Sequence, residues 1–122
     1  MEITSFSPII VTKEPDATIE LFEELGFKRK HHANISTGAV NIDMVSDNGF
    51  RVDVASAVLD QEQDMTIIRM NVRNFDEAYQ ILIDHGFINT RGDDTLDTGS
   101  AKAATMVSPT GFKIALNEHF RK

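Results

Sequence analysis

The stretch MVSPTGFKIAL, Met106 to Leu116, repeats a phrase that the chain has already used at Met44 to Val54, MVSDNGFRVDV. The two segments lie 62 positions apart and share five of their eleven residues, and the changes Arg to Lys, Val to Ile and Val to Leu are conservative. The mismatch with the largest chemical difference sets Asp53 against Ala115. An internal repeat of this kind predicts a fold built from two copies of one supersecondary unit.

The first half of the chain predicts one strand, one helix and three further strands. The strand is ITSFSPIIV, the helix is EPDATIELFEELGF, and the later strands are FKRKHHANI, AVNIDMV and FRVDVAS. Pro15 suits a first helical turn and Gly26 suits a helix end. Turns are expected at Ser36-Thr37-Gly38 and at Asp47-Asn48-Gly49, where Asn-Gly favours a hairpin.

The second half predicts the same order of elements. MTIIRMNV is a strand, and NFDEAYQILIDHGF is a helix with Asn74 as N-cap, Glu77 three residues later and Gly86 at its end. FINTR follows as a short strand and DDTLDTGS as a loop, and AKAATMV and FKIALNE are the closing strands.

Each half is therefore predicted to be a β-α-β-β-β module. A chain of 122 residues fits one domain, with module one at 1–57, a linker at 58–64 and module two at 65–122. Because neither module can bury its sheet alone, we expect an α+β fold. In it, two tandem modules form a curved mixed sheet with the helices outside and a concave trough inside.

Composition and charge narrow the classes of partner. The chain is 41% hydrophobic, carries a formal net charge of −7 and contains no cysteine. It has no basic stripe, no signal peptide pattern and no apolar run near the roughly 20 residues of a membrane helix. We therefore expect a cytoplasmic protein whose partners are neither nucleic acid nor membrane.

The paired modules resemble the vicinal oxygen chelate superfamily, which includes glyoxalase I, fosfomycin-resistance thiol transferases, extradiol dioxygenases and bleomycin-resistance proteins. SPTGFKIALNE resembles the closing DPDGxxxEL hairpin of that superfamily, and TIELFEELGF resembles its first helix, which ends in LGF or LGM. The resemblance covers nearly the whole chain. It implies the fold described above, a trough for a small molecule, and assembly as a homodimer.

The resemblance also implies positions for a metal site. Metal-using relatives carry His, Glu, His and Glu, in sequence order, on the first and last strand of each half. The matching positions here are Phe6, Asp53, Ile67 and Ala115. Phenylalanine, isoleucine and alanine offer no lone pair to a metal, so we expect no metal, no cofactor and no catalytic residue in this set.

Strand alternation predicts which side chains line the trough. The ligand-binding residues we expect are Phe6, Pro8, Arg51, Asp53, Ile67, Arg69, Lys113 and Ala115. On the same parity we also expect Ile10, Asn71 and Asn117. The opposite parity of these strands is apolar and is expected under the helices. The alternative is that the charged members pair with one another at the sheet edge and reach water.

Two further pairs carry possible ligating groups. His31 and His32 are adjacent on a strand, so at most one of them faces the trough. Glu118 and His119 follow Ala115 on the last strand, and Glu118 is predicted on the face opposite to Ala115. Neither pair supplies the missing ligands.

Three functional hypotheses follow. The leading one is a metal-independent protein that binds a small molecule, as bleomycin-resistance proteins sequester a drug. Without Trp, and with Tyr79 on a helix, stacking surfaces would come from Phe side chains. The alternatives are a metal-dependent lyase or dioxygenase whose ligands lie at other positions, and a non-catalytic dimeric module with a vestigial pocket.

Overall fold

The computed structural model describes residues 2–34, 40–57, 63–92 and 94–120. They group into two compact units, which we call the N-terminal unit (Ser7–Thr66) and the C-terminal unit (Met1–Phe6 with Ile67–Lys122). The predicted turn Ser36-Thr37-Gly38 and positions 58–62 of the predicted linker lie outside the described residues. No helix in the described ranges is both long enough and apolar enough to cross a membrane.

The N-terminal unit has the predicted order of one strand, one helix and three strands. Its elements are β1 (Ile3–Thr12, of which the unit contains the part from Ser7), α1 (Pro15–Glu24), β2 (Phe27–Asn34), β3 (Val40–Ser46) and β4 (Arg51–Ser56). The strands lie in the order β2-β3-β4-β1. The pair β1 and β4 is parallel, and the other neighbours are antiparallel.

Helix α1 begins and ends as the sequence predicts. Pro15 occupies its first turn, and Gly26, just past its end, has a φ of 107°, a conformation that favours glycine. The side chain of Thr12 accepts a hydrogen bond from the backbone N–H of Glu14 at 3.0 Å, which fixes the entry to the helix. Ile19 on α1 packs on the apolar face of the sheet, made by Ile42, Met44, Val52 and Val54.

The C-terminal unit repeats this plan with one addition. Its elements are β5 (Met65–Val72, of which the unit contains the part from Ile67), α2 (Phe75–Asp84), β6 (Ile88–Asn89), β7 (Leu96–Asp97), β8 (Ala101–Val107) and β9 (Lys113–His119). The order is β5-β9-β8-β6, and β7 also pairs with β8. The segment predicted as a loop therefore contains the two-residue strand β7.

Helix α2 carries the predicted N-cap. The Asn74 side chain accepts a hydrogen bond from the backbone N–H of Glu77 at 3.1 Å, and Gly86 has a φ of 91° just after the helix. The core of the unit lies between α2 and the sheet and consists of Met70, Val72, Phe75, Ala78, Leu82, Ala104, Met106, Ile114 and Leu116. Both units thus place a helix on one sheet face, and the fold class is α+β, as predicted.

The repeated phrase forms the same hairpin in both units. The backbone N–H of Ser46 donates to the carbonyl of Phe50 at 2.8 Å, and the N–H of Ser108 donates to the carbonyl of Phe112, also at 2.8 Å. The two phrases therefore form the same backbone bond across the turn.

The serine side chain of the phrase is the part whose role the sequence did not indicate. Ser108, which is buried, accepts hydrogen bonds at its Oγ from the backbone N–H groups of Thr110, Gly111 and Phe112 at 3.2, 2.9 and 3.0 Å. Ser46 accepts from the N–H of Phe50 at 3.0 Å. The serine thus satisfies turn donors that would otherwise need water.

Candidate functional site

The face of the C-terminal sheet turned away from α2 is polar, and we call it the polar face. Strand register pairs Arg69 with Ala115 and Asn71 with Asn117, while Thr105 on β8 lies opposite Ala115. By alternation the same face carries Ile67, Lys113 and Ala103. The predicted grouping of Ile67, Arg69, Lys113 and Ala115 on one face is confirmed, and the opposite parity forms the core.

A small cavity opens on this polar face at Ala115. It has a volume of about 130 Å³ and is lined by Arg91, Leu96, Ala103, Ala104, Thr105, Ala115 and Asn117. The space exists because the side chains at 103 and 115 are single methyl groups. The family resemblance implies a carboxylate ligand at position 115. The small side chain of Ala115 instead lines the cavity and leaves space there.

Arg91 reaches this cavity from a loop that Asn89 holds in place. Asn89 is buried, and its Oδ1 accepts a hydrogen bond from the backbone N–H of Arg91 at 3.0 Å. Its Nδ2 donates to the carbonyl of Asp94 at 2.9 Å and to the hydroxyl of Tyr79 at 3.3 Å. These bonds anchor the loop on both sides of Arg91, which the sequence analysis did not single out.

Asn117 supplies an amide at the other side of the cavity. Its Nδ2 donates to the carbonyl of Ala115 at 3.2 Å, which fixes the orientation of the side chain. An NH₂ group has a second hydrogen that this bond does not use. Nearby, the Oδ1 of Asn71 is buried and receives no hydrogen bond from any described residue. The polar face therefore has a donor hydrogen at Asn117 that the Ala115 bond does not use, and a buried acceptor at Asn71 without a partner among the described residues.

In the N-terminal unit, the face turned away from α1 carries charges of both signs. Asp53, which is 2% exposed, lies directly opposite Asp43 on β3, and Arg51 shares its face by alternation. The backbone of His31 pairs with that of Asp43, but the side chains of His31 and His32 lie outside the described part of the chain.

The predicted face of β1 is wrong by one residue. The register pairs Ile9 with Asp53 and Ile10 with Val54, and Ile10 packs against the core under α1. Pro8, and Phe6 before it, share the parity of Ile10, so neither is on the face of Asp53. Counting back from Gly26 could not fix this register, because the length of the connection between strand and helix is free to vary.

The same register changes the first metal position implied by the resemblance from Phe6 to Ser7. Ile9 pairs with Asp53 as Arg69 pairs with Ala115, so the counterpart of Ile67 in the N-terminal unit is Ser7. The implied set becomes one carboxylate, one hydroxyl and two side chains without a donor atom. Within the described ranges, no group of three or more His, Asp and Glu side chains could hold a metal ion. The residues present do not fit the metal of the family resemblance.

Glu118 has a structural partner. Its Oε1 accepts a hydrogen bond from the backbone N–H of Phe75 at 2.8 Å, so the carboxylate lies at the N-terminus of α2. This is the face opposite to Ala115, as predicted, and a negative charge there is favoured by the helix dipole. Glu118 is thus tied to the helix rather than available as a ligand on the polar face.

A second, larger cavity lies beside this helix start. It has a volume of about 460 Å³ and is lined by Thr4, Val72, Arg73, Glu118, His119 and Phe120. Its charged groups already have protein partners, since Arg73 pairs with Glu2 at 2.7 Å and Glu118 binds the helix. The smaller cavity is the stronger candidate for a binding site, because its polar groups have fewer protein partners.

Comparison with solved structures identifies the fold of this chain. No protein-family model and no curated protein matches the sequence. Solved structures do match it. Methylmalonyl-CoA epimerase from Mycobacterium tuberculosis aligns over 98% of this chain and 90% of its own, with 16% identity and a TM-score of 0.72. A glyoxalase/bleomycin resistance protein/dioxygenase superfamily member from Vibrio splendidus 12B01 aligns over 96% and 99%, with 13% identity and a TM-score of 0.66.

A third structure, a hypothetical protein from Bacillus halodurans C-125, aligns over 98% of both chains with 12% identity and a TM-score of 0.72. The chain therefore has the vicinal oxygen chelate fold, as the repeated modules predict. At these identities the likeness establishes the fold alone. Function has to be argued from the site in this chain.

Proposed function

We propose that this chain is a small-molecule-binding protein that works without a metal, with its ligand in the cavity around Ala115. The observation that carries the proposal is the cavity itself. It lies at the position where the family resemblance implies a metal-binding carboxylate, and Ala115 leaves space there instead of a charge.

The chemistry of the lining supports a binding role. Binding pockets combine an apolar wall with a few placed polar groups that orient the ligand. Here Leu96, Ala103 and Ala115 supply the apolar wall, and Arg91 and Asn117 supply the polar groups. The described residues that line the cavity include no nucleophile next to a general base. The role we propose is therefore sequestration of a metabolite or drug.

Of the ligand-binding residues expected from the sequence, Ala115 is the one that lines this cavity. Arg69, Lys113 and Ile67 share its sheet face. For Ala115, Arg69, Lys113 and Ile67, and for Arg51 and Asp53, contact with a ligand stays a prediction. For Phe6 and Pro8 the same contact was expected from a face of β1 that the register corrects. The expected homodimer and cytoplasmic location also stay predictions.

A thermal-shift screen of the full chain tests the proposal. A library of small acids, bases, sugars and aromatic drugs is applied in the presence of a metal chelator. At least one compound is expected to raise the melting temperature, since a ligand that binds the folded state stabilises it by mass action. A parallel set with nickel, zinc or iron in place of chelator shows whether any stabilisation depends on metal.

Two variants locate the binding. Ala115→Leu fills the cavity and is expected to abolish the ligand-induced shift. Ala101→Leu is the matched control, because Ala101 is on the same face of β8 opposite His119 and does not line the cavity. Loss of the shift in both variants, or in neither, would contradict the assignment of the pocket. Stabilisation only in the metal-supplemented set would overturn metal independence.

A further inference from the structure

We infer that the ligand of this pocket presents a carboxylate to the guanidinium of Arg91 and the amide of Asn117. The inference rests on the proposed function and names the chemical class of its ligand. Three observations carry it: the charge of the polar face, the donors at the cavity, and the size of the cavity.

The charge of the polar face is opposite to that of the protein. The chain has a net charge of −7, yet the face carries Lys113 on β9 and has Arg91 at the cavity. The residues that register places on this face include no Asp or Glu. Ala115, at the centre of the face, adds no negative charge, whereas a carboxylate at this position would add one.

The donors at the cavity match the two oxygens of a carboxylate. A guanidinium offers parallel N–H groups that bind both oxygens of a carboxylate in one plane. Within the described ranges, no acidic side chain forms an ion pair with Arg91. The loop bonds from Asn89 hold the arginine backbone, so part of the ordering cost of binding is already met. The unused hydrogen of the Asn117 amide adds a third donor.

The size and polarity of the cavity favour a carboxylate over a larger or more highly charged group. A volume of about 130 Å³ is slightly below the roughly 150 Å³ of a cavity that holds benzene, so it accommodates a carboxylate and a few carbons. Apart from Arg91, Asn117 and the Thr105 hydroxyl, the wall consists of apolar side chains, Leu96, Ala103 and Ala115 among them, which offer nothing to the second negative charge of a phosphate. A phosphate would therefore lose more hydration than the site returns.

The test is an NMR titration of the ¹⁵N-labelled full chain with sodium propionate at constant ionic strength. Propionamide is the neutral probe of equal shape, and inorganic phosphate is the competing anion. Propionate is expected to shift the amide signals of Arg91, Ala115 and Asn117 saturably. Propionamide and phosphate are expected to bind at least about tenfold more weakly, as the loss of a charged hydrogen bond implies.

Two arginine variants supply the control. Arg91→Gln is expected to weaken propionate binding about tenfold or more. Arg73→Gln removes an exposed arginine of the same unit that lines the other cavity, and it is expected to change the affinity less than about twofold. Both side chains are exposed, so both variants should keep the dispersed spectrum of a folded protein.

The outcomes separate the two proposals. Equal binding of propionate and propionamide at these signals, or tighter binding of phosphate, overturns the carboxylate assignment and leaves the pocket in place. An equal loss of affinity in the Arg73 and Arg91 variants also overturns it. If neither these probes nor any compound of the screen shifts the Ala115 signal, the proposed function itself fails.

Discussion

Replacing Gly86 with alanine should destabilise the protein more than the same change at Gly26. The two glycines end α2 and α1 and have φ angles of 91° and 107°, so each substitution carries the cost of a side chain in a left-handed conformation, about 1 to 2 kcal/mol. They differ in their surroundings. A Cβ on Gly86 would lie 2.9 Å from Cγ of Pro109, whereas a Cβ on Gly26 would meet nothing within 4 Å.

The contact with Pro109 sets the size of the difference. A proline ring cannot swing aside as a long side chain can, so the turn after β8 or the end of α2 must move. Overpacking of this kind costs about 1 to 3 kcal/mol. We therefore expect a loss of about 1 to 2 kcal/mol for Gly26→Ala and about 2 to 5 kcal/mol for Gly86→Ala.

Urea unfolding followed by circular dichroism measures both losses. Pro109→Ala, combined with Gly86→Ala in a double-mutant cycle, should recover about 1 to 3 kcal/mol, because it removes the Cγ that the new methyl group meets. Equal losses at the two glycines, or a cycle with no coupling, would refute the argument that this close approach distinguishes the two units.

Three further stability predictions follow from single hydrogen-bonding side chains. Ser108→Ala should cost about 1 to 3 kcal/mol and Ser46→Ala about 0.5 to 1.5, since Ser108 is buried and binds three backbone N–H groups; equal losses in urea unfolding would contradict this. Asn89→Ala should cost about 1 to 3 kcal/mol of stability and raise the rate of hydrogen exchange in the loop at Arg91. Tyr79→Phe should cost about 0.5 kcal/mol or less, because the bond from Asn89 to the Tyr79 hydroxyl is long. Unchanged hydrogen exchange in the loop of the Asn89 variant would contradict the anchoring role. Glu118→Ala should cost about 1 kcal/mol by removing the carboxylate at the N-terminus of α2; a stability equal to that of the parent would contradict it.

The sequence predicted the modules because their signals are local and occur twice. Pro15, Asn74 and the glycines at 26 and 86 each act within a few residues of their own position, so helix starts and ends followed from residue type. The hairpin at Asp47-Asn48-Gly49 followed for the same reason. The strand β7 was missed because its two residues pair with β8 across a loop and leave no periodic pattern.

The candidate site was less accessible from sequence, for two physical reasons. The stretch at β1 has apolar residues on both parities, so nothing in it distinguished the face of Phe6, Pro8 and Ile10 from that of Ser7 and Ile9. Arg91 and Asn89 were missed because their roles depend on a loop folding back onto the sheet. A buried asparagine two residues before a loop arginine is the signal that could have indicated them.

The role of Ser46 and Ser108 in the repeated phrase was also not predicted from the sequence. Their hydroxyl contacts are short-range, and Ser with Gly three residues later was visible twice in the sequence. The repeat was interpreted through its glycine and phenylalanine, which mark the hairpin. In the structure the Ser108 hydroxyl binds three backbone N–H groups of the turn, so the serine has a role in the hairpin beside the glycine and the phenylalanine.

The most direct test of the central claim is methyl NMR on the chain labelled at its alanine methyl groups, with a chelator present throughout. The compound that stabilises the protein best in the thermal-shift screen is titrated into the sample. The account predicts saturable shifts of the Ala103 and Ala115 methyl signals, with the Ala101 signal nearly unchanged. Shifts confined to other alanines, or shifts that arise only after a divalent metal is added, would contradict it.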